Sequence, residues 1–249
     1  MQAASIYKSH RVIRLSSLFM SIRETFHHHG LAPALADLAI CAFKRVLRFK
    51  VLQCLYVGVV DPSYLCTNGR YWSGFLDRAV LTQHCLEEYE LSEEFLQTAL
   101  ARGDQCFGIL DDGVLANYGW YSNLATEISE ELQIHFDCRY MYMYKGFTHP
   151  RYRGRRLYAV AMTMALQHYL ARGFKGLLCY VESSNLSSLK SVFRMGYRKF
   201  GSIYVVKAFG RYVIHCTRSC RSYGVGLEPG ARRPRRTLSQ EKLSVRGSV

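Results

Sequence analysis

Hydrophobic positions in this chain repeat with two different periods, and the changes of period mark its elements. From Pro33 to Leu52 the side chains of Leu35, Leu38, Ala39, Ala42, Phe43, Val46, Leu47 and Val51 fall on one stripe. Lys44, Arg45, Arg48 and Lys50 lie on or beside the other face, which is the pattern of a basic amphipathic helix. Leu55 to Val60 is a short apolar run closed by Asp61 and Pro62, and predicts a first strand. Phe75 to Leu100 reads as helical and carries Glu87, Glu88, Glu90, Glu93 and Glu94, the chain's acidic patch. Residues 103–110 and 114–121 predict two strands joined around Asp111, Asp112 and Gly113, a strong hairpin signal. Tyr140, Tyr142 and Tyr144 alternate with Met141, Met143 and Lys145 in a predicted strand that Pro150 ends.

Beyond Pro150 the period changes again. Leu157, Val160, Ala161, Met164, Ala165, His168 and Tyr169 recur at three-and-four spacing and predict a helix with one buried face. Gly176 to Val181 predicts a buried strand, and Glu182 to Asn185 its exit into another helix. Tyr204 to Phe209 and Tyr212 to Cys216 supply the last strands, joined around Gly210 and Arg211. From Tyr223 the composition turns to Gly, Pro, Ser and Arg with no apolar period, which predicts disorder.

With 249 residues and 49% hydrophobic content, the chain can bury one sizeable core. The expected division is a basic helical extension over residues 1–50, one domain over 51–222, and an Arg-rich tail over 223–249. Nine cysteines are scattered, with no CxxC and no paired histidine spacing. That excludes a sequence-recognisable zinc site or secreted disulfide scaffold and points to a reducing, cytoplasmic setting. His27, His28 and His29 are adjacent, so they cannot all face one ion, and no metal is expected. The longest apolar region, Leu31 to Val60, is interrupted by Asp37, Lys44, Arg45, Arg48 and Lys50, too many charges for a bilayer core. No signal-peptide pattern is expected at the start either.

The chemistry concentrates between Thr148 and Leu157. Arg151, Arg153, Arg155 and Arg156 surround Gly154 where a predicted strand, a turn and a helix start meet. Free N–H groups at a helix start favour phosphate, and a glycine lets an anion approach the main chain. Coenzyme-type phosphates would account for part of the net charge of +14. Arginines in the tail and first helix lie outside this turn, so an anionic acceptor or an anionic membrane surface also fits them. No zinc finger, RNP motif or basic zipper is present, and nucleic acid is not expected as a partner.

Arg151 and Gly154, followed by Asn185, Ser188, Gly196 and Tyr197 about thirty residues on, resemble the two conserved blocks of the GNAT superfamily of N-acetyltransferases. The likeness plausibly extends from Val51 to about Cys216. It implies a mixed α/β fold with a central, mostly antiparallel sheet flanked by helices. It also implies an acyl-CoA-dependent N-acyltransferase that uses acetyl-CoA or another acyl-CoA as co-substrate. An amine of a small molecule, such as an amino sugar, would attack the thioester directly in a ternary complex. Two alternatives stand beside this: a non-catalytic acyl-CoA-binding regulatory domain, and a membrane-peripheral acyltransferase for longer chains.

By the same resemblance, main-chain groups of Phe147, Thr148 and His149 hold the thioester and pantetheine arm, and those of Arg153 to Leu157 the pyrophosphate. Asn185 shapes the split between neighbouring strands and touches the pantetheine. The chain departs from the family pattern in having Arg156 where a small residue is usual, and Val192 where a Tyr acid is usual. Ser188, Ser187 or water stands in for that acid. Glu182 is the first candidate for the base, because partial burial can raise a carboxyl pKa toward neutrality; its alternative is a capping or salt-bridging role. Tyr142 and Tyr144 share a strand face, where they line the acceptor pocket, relay a proton or pack the core. Trp120 and Tyr121 stack on a sugar or fill the core, and His135 and His149 are further candidates.

Overall fold

The computed structural model describes residues 48–65, 69–129 and 131–230. In chain order these form β1 (Arg48–Val57), β2 (Trp72–Phe75), α1 (Arg78–Gln83), α2 (Glu93–Ala101), β3 (Gln105–Asp111) and β4 (Val114–Ser122). There follow β5 (Thr126–Ser129), β6 (Leu132–His135), β7 (Met141–Thr148), α3 (Leu157–Ala171), β8 (Leu177–Glu182) and α4 (Leu186–Arg194). β9 (Arg198–Ala208), β10 (Arg211–Cys216) and β11 (Gly226–Pro229) complete the described elements.

An eight-stranded sheet runs in the order β10-β9-β1-β8-β7-β4-β3-β2. All its pairs are antiparallel except β7 with β8. The expected mixed, mostly antiparallel sheet flanked by helices is therefore present. A three-stranded sheet, β11-β6-β5, stands beside it. One face of the large sheet buries Leu55, Ile109, Met141, Met143, Cys179 and Val181 with α3 and with Leu189 and Val192 of α4. The other face buries Tyr142, Leu178 and Ile203 with Leu132, Ile134 and Leu227 of the small sheet. Beside that cluster, Tyr118, Trp120 and Phe147 pack with Leu81 and Leu96 of α1 and α2.

Local signals explain several elements. Asp112 and Gly113 both adopt positive φ, 48° and 82°, as a type I′ hairpin turn between two twisted strands requires. The Asp77 carboxylate accepts from Val80 N to start α1, and Ser92 Oγ from Phe95 N to start α2. Such caps contribute about 1 kcal/mol each. Within the stretch expected to be helical over 75–100, Phe75 ends β2, and these two starts set off α1, a 3-10 turn at Glu87–Tyr89, and α2. Glu90 in the left-handed region ends that turn. α3 is buried around most of its circumference rather than on one face, with Leu157, Ala159 to Thr163, Ala165, Leu166 and Tyr169 all buried.

Two boundaries differ from the sequence reading. Residues 48–52 form the start of β1 rather than the end of the basic helix, because they find strand partners: Arg48 to Leu52 lie opposite Lys207 to Ile203 of β9, and Leu52 also lies opposite Glu182 of β8. The rest of that expected helix, His27 to His29, Cys41 and Cys66 lie outside the described residues. The domain extends past residue 222, since Gly226–Pro229 pairs with Leu132–His135 and Val225 and Leu227 are buried. Of the expected tail, residues 231–249 lie outside the described residues. β5, β6 and β11 were not expected; each is four residues long, too short to show a period.

Candidate functional site

β7 and β8 are paired only at their first residues, Met141 with Leu177 and Tyr142 with Leu178. Beyond these, their facing edges have no ladder. The cause is visible on the other edge of β7: Lys145 lies opposite Trp120 and Met143 opposite Tyr121, so Tyr144 is an extra residue. A β-bulge bends its strand and increases the local twist. It also changes which residues face where: Tyr142 packs on one face before the bulge, and Phe147, an odd-numbered residue, packs on that same face after it. Asn117 keeps the far end of β7 in place, donating from Nδ2 to Phe147 O and to Thr148 Oγ1, the latter at 2.9 Å.

The split opens a cavity of about 350 Å³. Its walls come from both faces of the sheet. Met143, Cys179 and Val181, with Tyr158 of α3 and Ser188 and Val192 of α4, form one side; Tyr142, Tyr144 and Tyr180 form the other. Glu182, Ser184 and Asn185 close it where β8 gives way to α4. Asn185 caps α4, its Oδ1 accepting from Ser188 N at 3.1 Å. Backbone donors and acceptors on the open edges of β7 and β8 are free to pair with an extended, amide-bearing ligand.

Of the expected site residues, Tyr144, Phe147, Thr148, Glu182, Asn185 and Ser188 meet at this cavity. His149, Arg151, Arg153, Gly154, Arg155, Arg156 and Leu157 form the turn that continues from β7 into α3 and do not line it. Pro150–Tyr152 makes a 3-10 turn, with His149 Nδ1 accepting from Arg151 N at 3.3 Å. Arg153 Nε reaches Thr148 O at 3.4 Å. Gly154 has φ +80°, and a Cβ there would meet nothing within 4 Å. Arg156 holds the left-handed conformation just before α3 and gives no side-chain cap, so the first N–H groups of α3 point outward without intrahelical partners. Arg151, Arg153, Arg155 and Arg156 are exposed around them, while Leu157 is buried and anchors the helix start. This is a run of donors and positive charge suited to phosphate.

A staple holds that turn to the hairpin. Arg70 grips the buried Asp111 carboxylate through Nε at 2.8 Å and Nη2 at 2.7 Å, and Tyr152 Oη donates to it at 2.9 Å. Arg155 lies over the Tyr152 ring and reaches Tyr71 Oη at 3.2 Å. The Arg70 guanidinium holds the Asp111 carboxyl below the usual carboxylate range. A group depressed on folding contributes its stability in full above its unfolded pKa, about 3.9 for Asp, and loses it as pH falls through the lower folded value. Asp111→Asn is expected to speed amide exchange over residues 151–156 at neutral pH while leaving the centre of α3 protected. Exchange mass spectrometry reads both, and unchanged exchange in the turn would remove the staple from the account.

Several residues of the cavity were not anticipated. Tyr158 lies over Gly146, its ring carbon 2.7 Å from where a Cβ would sit, and its hydroxyl contacts Met143 Sδ at 3.7 Å. Tyr180, Ser184 and Ser191 also line the walls. Lys50 of β1 places Nζ 3.4 Å from Glu182 Oε2, with side-chain exposures of 41% and 29%. Trp120 and Tyr121 are fully buried and serve the core. His135 sits in the small sheet, 3.4 Å from Glu228, and is not part of the cavity wall. Among the described residues no three His, Cys, Asp or Glu side chains cluster as a metal ion would need, and no helix is long and apolar enough to cross a membrane.

No protein-family model and no curated protein matches the sequence. Solved structures do. An acetyltransferase of the GNAT family from Novosphingobium aromaticivorans is 20% identical, with 63% of each chain covered and a TM-score of 0.45. A GCN5-related N-acetyltransferase-like protein from Streptococcus suis is 16% identical over 70% of this chain and 67% of its own, with a TM-score of 0.46. Several of the solved structures similar to this chain are described as GNAT-family acetyltransferases. A third, the GNAT-family acetyltransferase from Colwellia psychrerythraea, is 13% identical over 79% of this chain and 72% of its own, with a TM-score of 0.43. The chain spans a little under two thirds of the first of these, 63%.

Proposed function

We propose that this protein is an acyl-CoA-dependent N-acyltransferase that moves an acyl group, acetyl in the first instance, onto the amine of a small molecule. One observation carries the reading: the cleft between the diverging strands β7 and β8 is lined as far as Thr148, the last residue of β7, from which the chain runs into the glycine-containing, arginine-rich turn before α3. An extended thioester-bearing arm fits the open strand edges, and a pyrophosphate fits the first N–H groups of α3 near Gly154. Phe147, Thr148 and His149 would offer main-chain groups to the arm, with Asn185 at its other wall. Bound there, acyl-CoA supplies an activated carbonyl and a leaving thiolate.

The cavity's two sides then take different roles. On the α3 and α4 side, Val192 occupies the position of the usual acid, and the hydroxyls of Ser188 and Tyr158 offer hydrogen bonds to the departing thiolate. Burial pushes the Tyr158 phenol above its usual range, so it stays protonated and serves as a donor. On the opposite side, Tyr142, Tyr144 and Tyr180 with Glu182 receive the acceptor. Aromatic faces beside a carboxylate suit an amine carried on a ring, and amino sugars are the first acceptors to test.

Glu182 is shared with Lys50, so we assign it to hold the incoming ammonium rather than to take its proton during the reaction. Glu182→Gln is expected to raise the acceptor KM about tenfold, the loss of one charge-assisted contact, with kcat changed less than about twofold. A loss of kcat at unchanged KM would instead make Glu182 the base. The activity itself is tested by following thioester loss from acetyl-CoA with a panel of primary amines. Acylated amine as product supports the reading, and binding without transfer to any amine would favour a regulatory acyl-CoA-binding role.

A further inference from the structure

Behind the acceptor side of the cavity lies a second carboxylate that the reaction described above leaves unused. Asp104, just before β3, is 5% exposed. Its Oδ2 accepts from the hydroxyl of Tyr144 at 2.9 Å, and its Oδ1 has no hydrogen-bond partner among the described residues. Leaving a buried carboxylate oxygen unpaired is costly, so such a group calls for an explanation. A purely structural carboxylate is normally satisfied on both oxygens.

The surroundings keep it in place. Arg102, which ends α2, sets Nε 3.7 Å from Oδ2 and is itself tied through Nη2 to Ala125 O at 2.9 Å and Thr126 Oγ1 at 3.1 Å. Asp104 N donates to Ala99 O. Tyr169 of α3 also lies in the field of this carboxylate, and Cys106 of β3 faces both Tyr144 and Tyr169. Tyr144 is the extra residue of the β7 bulge, so the same residue lines the cavity and bonds the buried acid through its phenol.

We propose that the acceptor amine loses its proton through Tyr144 to Asp104. This rests on the acyl-transfer reading. The ammonium held at Glu182 first releases one proton to solvent; as the neutral amine nitrogen then forms its bond to the thioester carbon, one N–H proton passes to Tyr144 Oη while the phenol's own proton passes to Asp104 Oδ2. The carbon–sulfur bond then breaks, and the proton returns from Asp104 through Tyr144 to the thiolate. The products are the amide and free coenzyme thiol, and both side chains are restored. Burial, and then Asp104 itself, push the Tyr144 phenol above its usual range. The phenol therefore does not rest as a phenolate, and it conducts the proton only in concert with Asp104. General base catalysis of this kind contributes about 10²–10⁴-fold.

The test compares wild type, Asp104→Asn, Tyr144→Phe and the double variant in acyl transfer to one amine, with acetyl-CoA affinity measured on the same proteins. Each single variant is expected to lose about 100-fold in kcat, with acetyl-CoA Kd and acceptor KM held within about twofold. The double variant should lose no more than the worse single one. Wild-type kcat is expected to fall in deuterium oxide because protons move in the step, and Asp104→Asn and Tyr144→Phe should each lose most of that solvent isotope effect, a change that looser packing alone would not produce. Wild-type turnover with an unchanged rate and solvent isotope effect in folded Tyr144→Phe overturns the relay alone. Absence of wild-type turnover and of acetyl-CoA binding overturns the relay together with the reading beneath it.

Discussion

Gly154→Glu is expected to weaken acetyl-CoA binding at least about 100-fold, close to 3 kcal/mol, in a protein that still folds. A Cβ at this position meets nothing within 4 Å, so sterics alone leave the domain intact. The cost to the fold is conformational: with φ at +80°, a side chain held in the left-handed region costs about 1–2 kcal/mol. The carboxylate does the damage to binding. It stands beside the first N–H groups of α3, where it competes for the donors that phosphate needs. It also offsets one of the arginine charges around the turn. Gly154→Ala carries the same strain without the charge and separates the two effects; its affinity should fall less than about tenfold. Calorimetric titration of both variants checks this, and wild-type affinity in folded Gly154→Glu would contradict the assigned cradle.

The second large effect concerns stability. Leu55 is fully buried in β1, on the face covered by α3. Leu55→Ala removes its packing and leaves a cavity, at an expected cost of about 3 kcal/mol. For a domain of this size that lowers Tm by about 6–12 °C. Because β1 holds β8 on one side and β9 on the other, the loss reaches the strand that carries Glu182. Thermal and urea unfolding measure it. A cost under about 1 kcal/mol would mean that β1 lies at a dispensable edge rather than in the middle of the sheet.

What could be read from the chain in advance was what neighbouring residues specify. The Asp112-Gly113 turn, the helix beginning at Leu157 and the exit from β8 into a helix at Asn185 each depend on residues within one turn or one period of each other, and each is where the sequence places it. The same holds for the Arg151 to Arg156 turn. Long-range pairing was not legible. Lys50 meets Glu182 across 132 residues and Tyr144 meets Asp104 across 40, and neither pairing leaves a mark on hydrophobic period. The helical stripe assigned through Leu52 failed for a related reason: a segment with apolar residues at both spacings takes the structure that its partners impose, and pairing with β9, joined by β8 at Leu52, imposed a strand on residues 48–52. The small sheet was missed because four-residue strands carry too few positions to show alternation, and its third strand lies where glycine and proline suggested no structure at all.

The most direct test of the account is a calorimetric titration of the full chain with acetyl-CoA, with thioester loss followed in the same samples as a primary amine is added. The account predicts saturable binding at micromolar strength and loss of thioester that rises with amine concentration and yields the amide. No binding of acetyl-CoA, or of longer acyl-CoAs, to the folded protein would contradict it.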